Sequence, residues 1–328
     1  MSSWLPALED TEKTLKAFFS SCIEGGPSLC ALANFNGPNT TTTDLLDAFN
    51  DALQALLDDP IISPPLLAAS AWNPTPATTL YTAIKATIFA SIYHATQYPG
   101  LAMSLEPILA QNFTGFLDAV PELPPTDPNN PPELPYNYAK VDSFWGVACS
   151  DSSYRASSPE EMESVVRAQQ HVSGMDDAFI GKTWPCAQWK LEAVERFLGP
   201  FSGETSFPIL FVNGEYDPAT PIRSAFAASA AFKGSTVLTH GGQGHKFMRH
   251  PSICTAKAVK AYFLNGTMPE GGTYCPPDVS AFEVAGNGGE GPGDENPHIS
   301  KRGLSEDDSR LLSRMLEFGP LDVGMGGF

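Results

Sequence analysis

Phe207-Pro208-Ile209-Leu210-Phe211-Val212-Asn213-Gly214 is a continuous apolar run closed by an Asn-Gly pair. Its length and lack of polar alternation predict a strand buried on both faces, as in parallel sheets. Pro221 then opens a helix at its first turn, running to about Phe232. A shorter strand, Ser235 to Thr239, comes next. A helix from Ser252 to Leu264 follows, stopped by Asn265-Gly266. Strand, helix, strand, helix in that order is the pattern of an α/β fold.

Each strand hands over to a loop with chemistry in it. The first leads into Gly214-Glu215-Tyr216-Asp217-Pro218-Ala219-Thr220-Pro221, the second into Gly241-Gly242-Gln243-Gly244-His245. Alone, Asp-Pro after a strand reads as a turn or a helix cap, and one His among glycines reads as an exposed loop residue. Together they suit a proton relay. A carboxylate can accept from one imidazole nitrogen and fix its tautomer, while the other nitrogen takes a proton from a nucleophile. Glycines before the His allow a tight turn that presents the ring. Asp before His in the chain is also the order used when a nucleophile comes first, on a strand-to-helix elbow. His240 and His250 flank this loop and read as structural or exposed. Glu215 and Tyr216 read as solvated strand-end residues.

Upstream the periodicity is helical. Leu8, Leu15, Phe18, Phe19 and Cys22 share a face before Gly25-Gly26-Pro27. Leu45, Leu46, Phe49, Leu53, Leu56 and Leu57 form a stripe that stops at Pro60. A third helix is expected from about Thr79 to Tyr98, with Leu80, Ile84, Ile88 and Ile92 four apart, and a weaker fourth from Leu101 to about Val120. Core packing accounts for all four stripes. Residues 121–138 hold seven prolines and are expected to run as an extended loop. A helix is expected from Pro159 to about His171. The Gly-, Pro- and acid-rich stretch 285–298 reads as disordered. Ser305-Glu306-Asp307-Asp308 reads as a capping box for a short helix through Leu316. There is no internal repeat. Phe144-Trp145, Trp184 and Trp189 read as core packing or disulfide shielding.

Lys and Arg number 19 against 37 Asp and Glu, a formal net charge of −18. Such a chain repels phosphate backbones and gains nothing from an anionic membrane surface, so neither nucleic acid nor membrane is an expected partner. No apolar run reaches the ~18 residues of a membrane span. Met1-Ser2-Ser3-Trp4-Leu5-Pro6 lacks the basic start and apolar core of a signal peptide. Other features look extracellular: six cysteines and three Asn-x-Ser/Thr sequons, at Asn39, Asn112 and Asn265. That conflict suggests a chain missing its beginning. The cysteines show no Cys-x-x-Cys spacing and no nearby His pair, so neither metal nor cofactor is expected. Spacing alone leaves many cysteine pairings open, reduced thiols included.

The same residues carry a resemblance. Pro208-Ile209-Leu210-Phe211-Val212, Asp217-Pro218-Ala219-Thr220-Pro221 and Gly244-His245 are followed by Ser252-Ile253-Cys254-Thr255-Ala256-Lys257-Ala258-Val259. Tyr262-Phe263-Leu264-Asn265-Gly266-Thr267 and Pro269-Glu270-Gly271-Gly272-Thr273-Tyr274-Cys275 come next. In order and spacing this resembles the C-terminal region of the tripeptidyl aminopeptidase-like serine hydrolases, relatives of the prolyl aminopeptidases. Cys22-Ile23-Glu24-Gly25-Gly26-Pro27-Ser28-Leu29-Cys30 and Ala148-Cys149-Ser150-Asp151 resemble that family's cap, so the likeness runs from about Trp4 to Cys275.

The resemblance implies a partial α/β-hydrolase fold, a helical cap followed by the last strands and helices of the sheet. Residues 1–150 would be the mostly helical cap-like region. Residues 151–283 would be the C-terminal region with the acid and His loops, and 284–328 a flexible tail with a short helix. It implies Asp217 as the triad acid and His245 as the base. It also implies the pairings Cys22–Cys30, Cys149–Cys186 and Cys254–Cys275, an extracellular parent protein, and peptides with a free N-terminus as substrates. The departure lies in the nucleophile. No Gly-x-Ser-x-Gly elbow occurs, since Gly26-Pro27-Ser28-Leu29-Cys30 fails at its last position, and no His-Gly-type oxyanion loop occurs upstream of the acid and His loops. The expected function is therefore a fragment of a secreted, aminopeptidase-type serine hydrolase, inactive and marginally stable alone. The alternatives are a non-catalytic peptide- or protein-binding relative, or an enzyme completed by another chain that supplies the Ser.

Overall fold

The computed structural model describes residues 5–62, 79–119, 138–177, 184–286 and 304–318. The expected Pro-rich loop and the expected disordered stretch fall almost wholly outside these residues.

The first half is helical. Helix α1 spans Thr11–Gly25 and α2 spans Thr42–Asp58. A capping box opens α2: the Asp44 N–H donates to Thr41 Oγ1 at 3.2 Å, and the Thr41 N–H donates to Asp44 Oδ2 at 2.8 Å. The single helix expected from Thr79 to Tyr98 is instead α3, Leu80–Ile92, then a 3₁₀ turn, Ala95–Gln97, and α4, Tyr98–Leu109. The break has a cause. Tyr93 and His94 leave the helix to pair with the loop that carries His245, through an antiparallel bridge between His94 and Gly244. Helices α5 (Phe113–Ala119), α6 (Tyr138–Asp151) and α7 (Pro159–Val172) follow.

The striped faces of α1 to α4 close on one another. Leu15, Phe18, Phe19, Leu45, Phe49 and Leu56 are buried with Ile84, Ile88 and Leu105. Tyr98 stands edge-on to Phe18, with ring centroids 5.0 Å apart, and is fully buried. Met175 and Phe282 join this core from later in the chain. Each fully buried Leu, Ile or Phe here contributes roughly 1.5–3 kcal/mol of burial free energy.

The second half is a small parallel sheet with helices. Strand β1 spans Leu210–Tyr216, helix α8 Ile222–Ala231, strand β2 Thr236–Gln243, helix α9 Ile253–Asn265 and strand β3 Tyr274–Cys275. Helices α10 (Ala281–Gly286) and α11 (Glu306–Phe318) complete it. The strand order is β1-β2-β3, parallel throughout, with Leu210 opposite Thr236 and His240 opposite Cys275. The fold is a partial α/β-hydrolase architecture of helices and a short parallel sheet.

Three expectations change. The apolar strand is not buried on both faces. Leu210, Phe211 and Val212 are half-buried, because β1 lies at the edge of the sheet formed by the described residues, and Phe207, just before the strand, is 77% exposed; Val237 and Leu238 of central β2 are buried. β2 runs on through Gly241, Gly242 and Gln243 rather than stopping at Thr239, so the His loop starts later. The third strand, two residues long, has no sequence signal. Of the tryptophans, Trp184 is 45% exposed, and half-buried Trp189, beside the Cys149–Cys186 disulfide, donates Nε1–H to Ser150 Oγ at 3.1 Å.

The structure contains the disulfides Cys22–Cys30, Cys149–Cys186 and Cys254–Cys275, with Cα–Cα separations of 5.3, 4.6 and 5.3 Å. Among the described residues no helix is long and apolar enough to cross a membrane.

Candidate active site

Parallel pairing of β1 and β2 brings both strand ends to one edge of the sheet, the usual place for a site in such folds. Asp217 follows β1 directly. It is 4% exposed, and its carboxylate is well supplied with donors. Oδ1 accepts the N–H groups of Ala219 and Thr220, both at 2.9 Å, and Oδ2 accepts the Thr220 hydroxyl at 2.6 Å. The Asp-Pro-Ala-Thr turn therefore folds around its own first side chain and fixes it. Helix α1 braces the turn from outside: Thr11 Oγ1 donates to Pro218 O at 2.8 Å, and the Ile222 N–H donates to Asp10 Oδ2 at 2.9 Å.

His245 lies opposite. Its Nδ1 is 3.0 Å from Asp217 Oδ2 and 3.1 Å from Oδ1, so Nδ1–H donates to the carboxylate. This orientation turns Nε2 away from Asp217, where it can exchange a proton with another group. The structure thus brings together the two site residues picked out from sequence. Among the described residues no Ser, Thr or Cys side chain hydrogen-bonds to His245 Nε2, and no cysteine is free. Nor does any group of three or more His, Cys, Asp and Glu among them converge to hold a metal ion.

The His loop is held from three sides. From β1, Tyr216 O accepts the Gly244 N–H at 2.9 Å. From the end of α3, Tyr93 O accepts the His245 N–H at 2.9 Å, and the Tyr93 ring lies 5.2 Å from the imidazole. From α1, Ser21 Oγ is 2.6 Å from Gln243 Nε2, which donates to it. Burial, helped by the nearby Asp217 charge, pushes the Tyr93 phenol well above its ordinary range, so it stays neutral. Arg249 Nη1 donates to His94 Nε2 at 2.8 Å and ties the far end of the loop to the same helical junction.

Behind the loop sits a pair of histidines. His240 and His250 are both 2% exposed. Their tautomers follow from their partners. His250 O can only accept, so His240 Nε2, 2.9 Å away, carries the hydrogen, and His240 Nδ1 accepts the Thr255 hydroxyl at 2.9 Å. The Gln243 N–H donates to His250 Nδ1 at 3.0 Å, so His250 Nε2–H donates to Val279 O at 2.7 Å. Burial lowers both pKa values; for His240, pushed down to about 4, the neighbouring His250 adds to the effect. Both rings are neutral at pH 7.

The sequence pointed to Asp217 and His245 but gave no signal for Tyr93, His94 or Gln243. His240 and His250 were visible only as flanking residues, and their part in holding the loop was not.

Comparison with known proteins agrees with this architecture. Residues 172–275, which hold β1, β2, Asp217 and His245, match the family model for TAP-like proteins of the α/β-hydrolase class. Over 143 residues the chain is 27% identical to carboxylesterase B of Mycobacterium tuberculosis, in both strain CDC 1551 and strain H37Rv, and to a hydrolase of Mycobacterium bovis. That match covers 42% of this chain and 26% of each relative, so it spans about a quarter of the length of these curated proteins. The family match lies over the strand–Asp and strand–His units themselves, so it is residues 172–275 that are similar to the TAP-like α/β-hydrolases.

Proposed function

We propose that Asp217 and His245 are the acid and base of a serine-hydrolase triad, and that this chain is the cap and acid–base portion of an aminopeptidase-type hydrolase. One observation carries the proposal: His245 Nδ1 lies within 3.1 Å of both oxygens of a buried carboxylate that its own turn holds in place. In the reaction, His245 Nε2 takes the proton of a serine hydroxyl as it attacks a carbonyl. It then gives that proton to the leaving group, while Asp217 stabilises the imidazolium. Water releases the acyl group by the same two proton transfers in reverse.

The reaction needs a hydroxyl and oxyanion donors that the described residues do not bring to His245. The proposed chain is therefore inactive by itself and works only joined to, or alongside, a segment that carries them. The substrate class is peptides with a free N-terminus, on the strength of the likeness to aminopeptidases; the carboxylesterase relatives make esters the competing class. A second reading, a non-catalytic binding protein, is favoured by the absence of any described hydroxyl at Nε2.

A fluorophosphonate probe tests this. The purified chain is expected to show no stoichiometric labelling; labelling would mean a nucleophile lies within these residues and would sink the claim of inactivity. Joined to a nucleophile-bearing segment of the same family, the chain should label and turn over aminoacyl or peptidyl amides, and His245→Ala should abolish both. Faster turnover of simple acyl esters would assign it to esterases instead. Binding with no turnover in any such assembly would favour the second reading.

We also propose an extracellular setting. Three disulfides support it, as such bonds persist in oxidising compartments. Asn39, Asn112 and Asn265 are all exposed, as glycan acceptors must be. Expressed through a secretory route, the chain should carry an endoglycosidase-sensitive mass. A mass equal to the bare polypeptide would remove the glycoprotein claim.

A further inference from the structure

The position of a general base is set by its backbone as much as by its carboxylate partner. His245 follows Gly244, whose φ of 97° only glycine adopts readily, and that turn starts at Gln243, the last residue of β2. The Gln243 N–H points away from β1 and needs an acceptor, because a buried, unpaired N–H is costly. Its acceptor is the Nδ1 of His250, at 3.0 Å. That nitrogen is available only because the opposite nitrogen carries the hydrogen, held by Val279 O at 2.7 Å. The main chain of His250 has a second hold, since its carbonyl accepts from His240 of β2 at 2.9 Å. A Cβ on Gly242 would lie 2.7 Å from that carbonyl, so the strand passes the histidine pair in close contact.

We propose that His250 is a positioning residue for His245: its bare Nδ1 accepts the Gln243 N–H and so sets the turn that delivers the imidazole to Asp217. The inference rests on His245 being the base. It assigns His250 no contact with substrate.

Two variants separate this role from packing. Asn at 250 places a carbonyl oxygen near the position of Nδ1 and can accept the Gln243 N–H. Gln reaches instead to the position of Nε2 and leaves that N–H without an acceptor. Two NMR signals on the intact chain are read: exchange of the Gln243 amide, and the downfield Nδ1 proton of His245 hydrogen-bonded to Asp217. His250→Asn should preserve both. His250→Gln should speed Gln243 amide exchange about tenfold or more and broaden or remove the His245 proton. If the two variants behave alike, whether both keep the signals or both lose them, His250 only fills space and the proposal is overturned. Asp217→Asn in the otherwise unchanged chain isolates the dyad. Should the His245 proton be insensitive to it, the dyad assignment fails, while the Gln243 comparison still decides the role of His250.

Discussion

Replacing Lys85 with alanine is expected to destabilise the chain by about 3–5 kcal/mol, the range for breaking a buried ion pair from one side. Lys85 lies on α3, is 1% exposed, and points into a site made by Asp176 and Asp177, a few residues after the end of α7. Its Nζ donates to Asp177 Oδ2 at 2.5 Å, to Asp176 Oδ1 at 3.4 Å and to the Tyr81 hydroxyl at 3.1 Å, and it lies 4.6 Å from the Tyr81 ring centroid. Burial works against the ammonium, but the Asp177 charge and these hydrogen bonds outweigh it and hold the pKa above the ordinary lysine value. A raised lysine pKa contributes stability that is fully present below its unfolded value, about 10.4. It is lost only as pH rises through the folded value, so neutral pH sees all of it. Removing Lys85 leaves two adjacent carboxyls with no cation between them. Asp176 is already strained: burial and the Asp177 charge raise its pKa, and its Oδ2 makes no hydrogen bond. Adding Asp176→Asn and Asp177→Asn to Lys85→Met should recover most of the loss, because an uncharged site no longer needs a counterion. Urea denaturation of the single and triple variants measures both terms. A Lys85→Ala loss below about 1 kcal/mol would mean the pair is solvated and energetically unimportant.

That lysine marks where the sequence stops being legible. In Leu80-Tyr81-Thr82-Ala83-Ile84-Lys85 the apolar period predicts the helix and its buried face correctly, and Lys85 sits where a solvated residue is expected. Nothing local reveals that Asp176 and Asp177, about ninety residues later, will cover it. The same division holds at the site. The strand-to-Asp and strand-to-His units were readable because each is a local pattern: an apolar run, a turn residue and glycines. Gly266, with φ of 65°, ends α9 as its Asn-Gly signature foretold. The clamp on His245 was not readable, because Ser21 lies in a helix, and Tyr93 and His94 at the end of one, whose sequence period speaks only of the core. The exposed edge of β1 was misread for a related reason. An apolar run states what a strand could bury, while the number of neighbouring strands decides what it does bury.

Gly244→Ala is expected to cost about 2–6 kcal/mol and to disconnect His245 from Asp217. Two separate terms add. A non-glycine residue at φ 97° stores about 1–3 kcal/mol of backbone strain. The new Cβ would also lie 2.6 Å from Tyr93 O and 3.1 Å from its carbonyl carbon, and such overpacking costs about 1–3 kcal/mol. The second term carries the functional consequence, because Tyr93 O is the atom that accepts the His245 N–H. Relieving the clash means moving either the end of α3 or the His loop, and both motions stretch the bond that fixes the base. Gly266→Ala provides the control. Its φ is also positive, at 65°, but nothing lies within 4 Å of the new methyl, so it should show the strain term alone, about 1–2 kcal/mol. The measurement is the denaturation midpoint of each variant with the His245 Nδ1 proton signal. A larger loss at Gly244 together with a missing His245 signal would tie helix α3 to the placement of the base. Equal losses with the signal intact would mean that the helical region can shift without disturbing the Asp–His pair, and that the contact at Tyr93 holds the fold but not the chemistry.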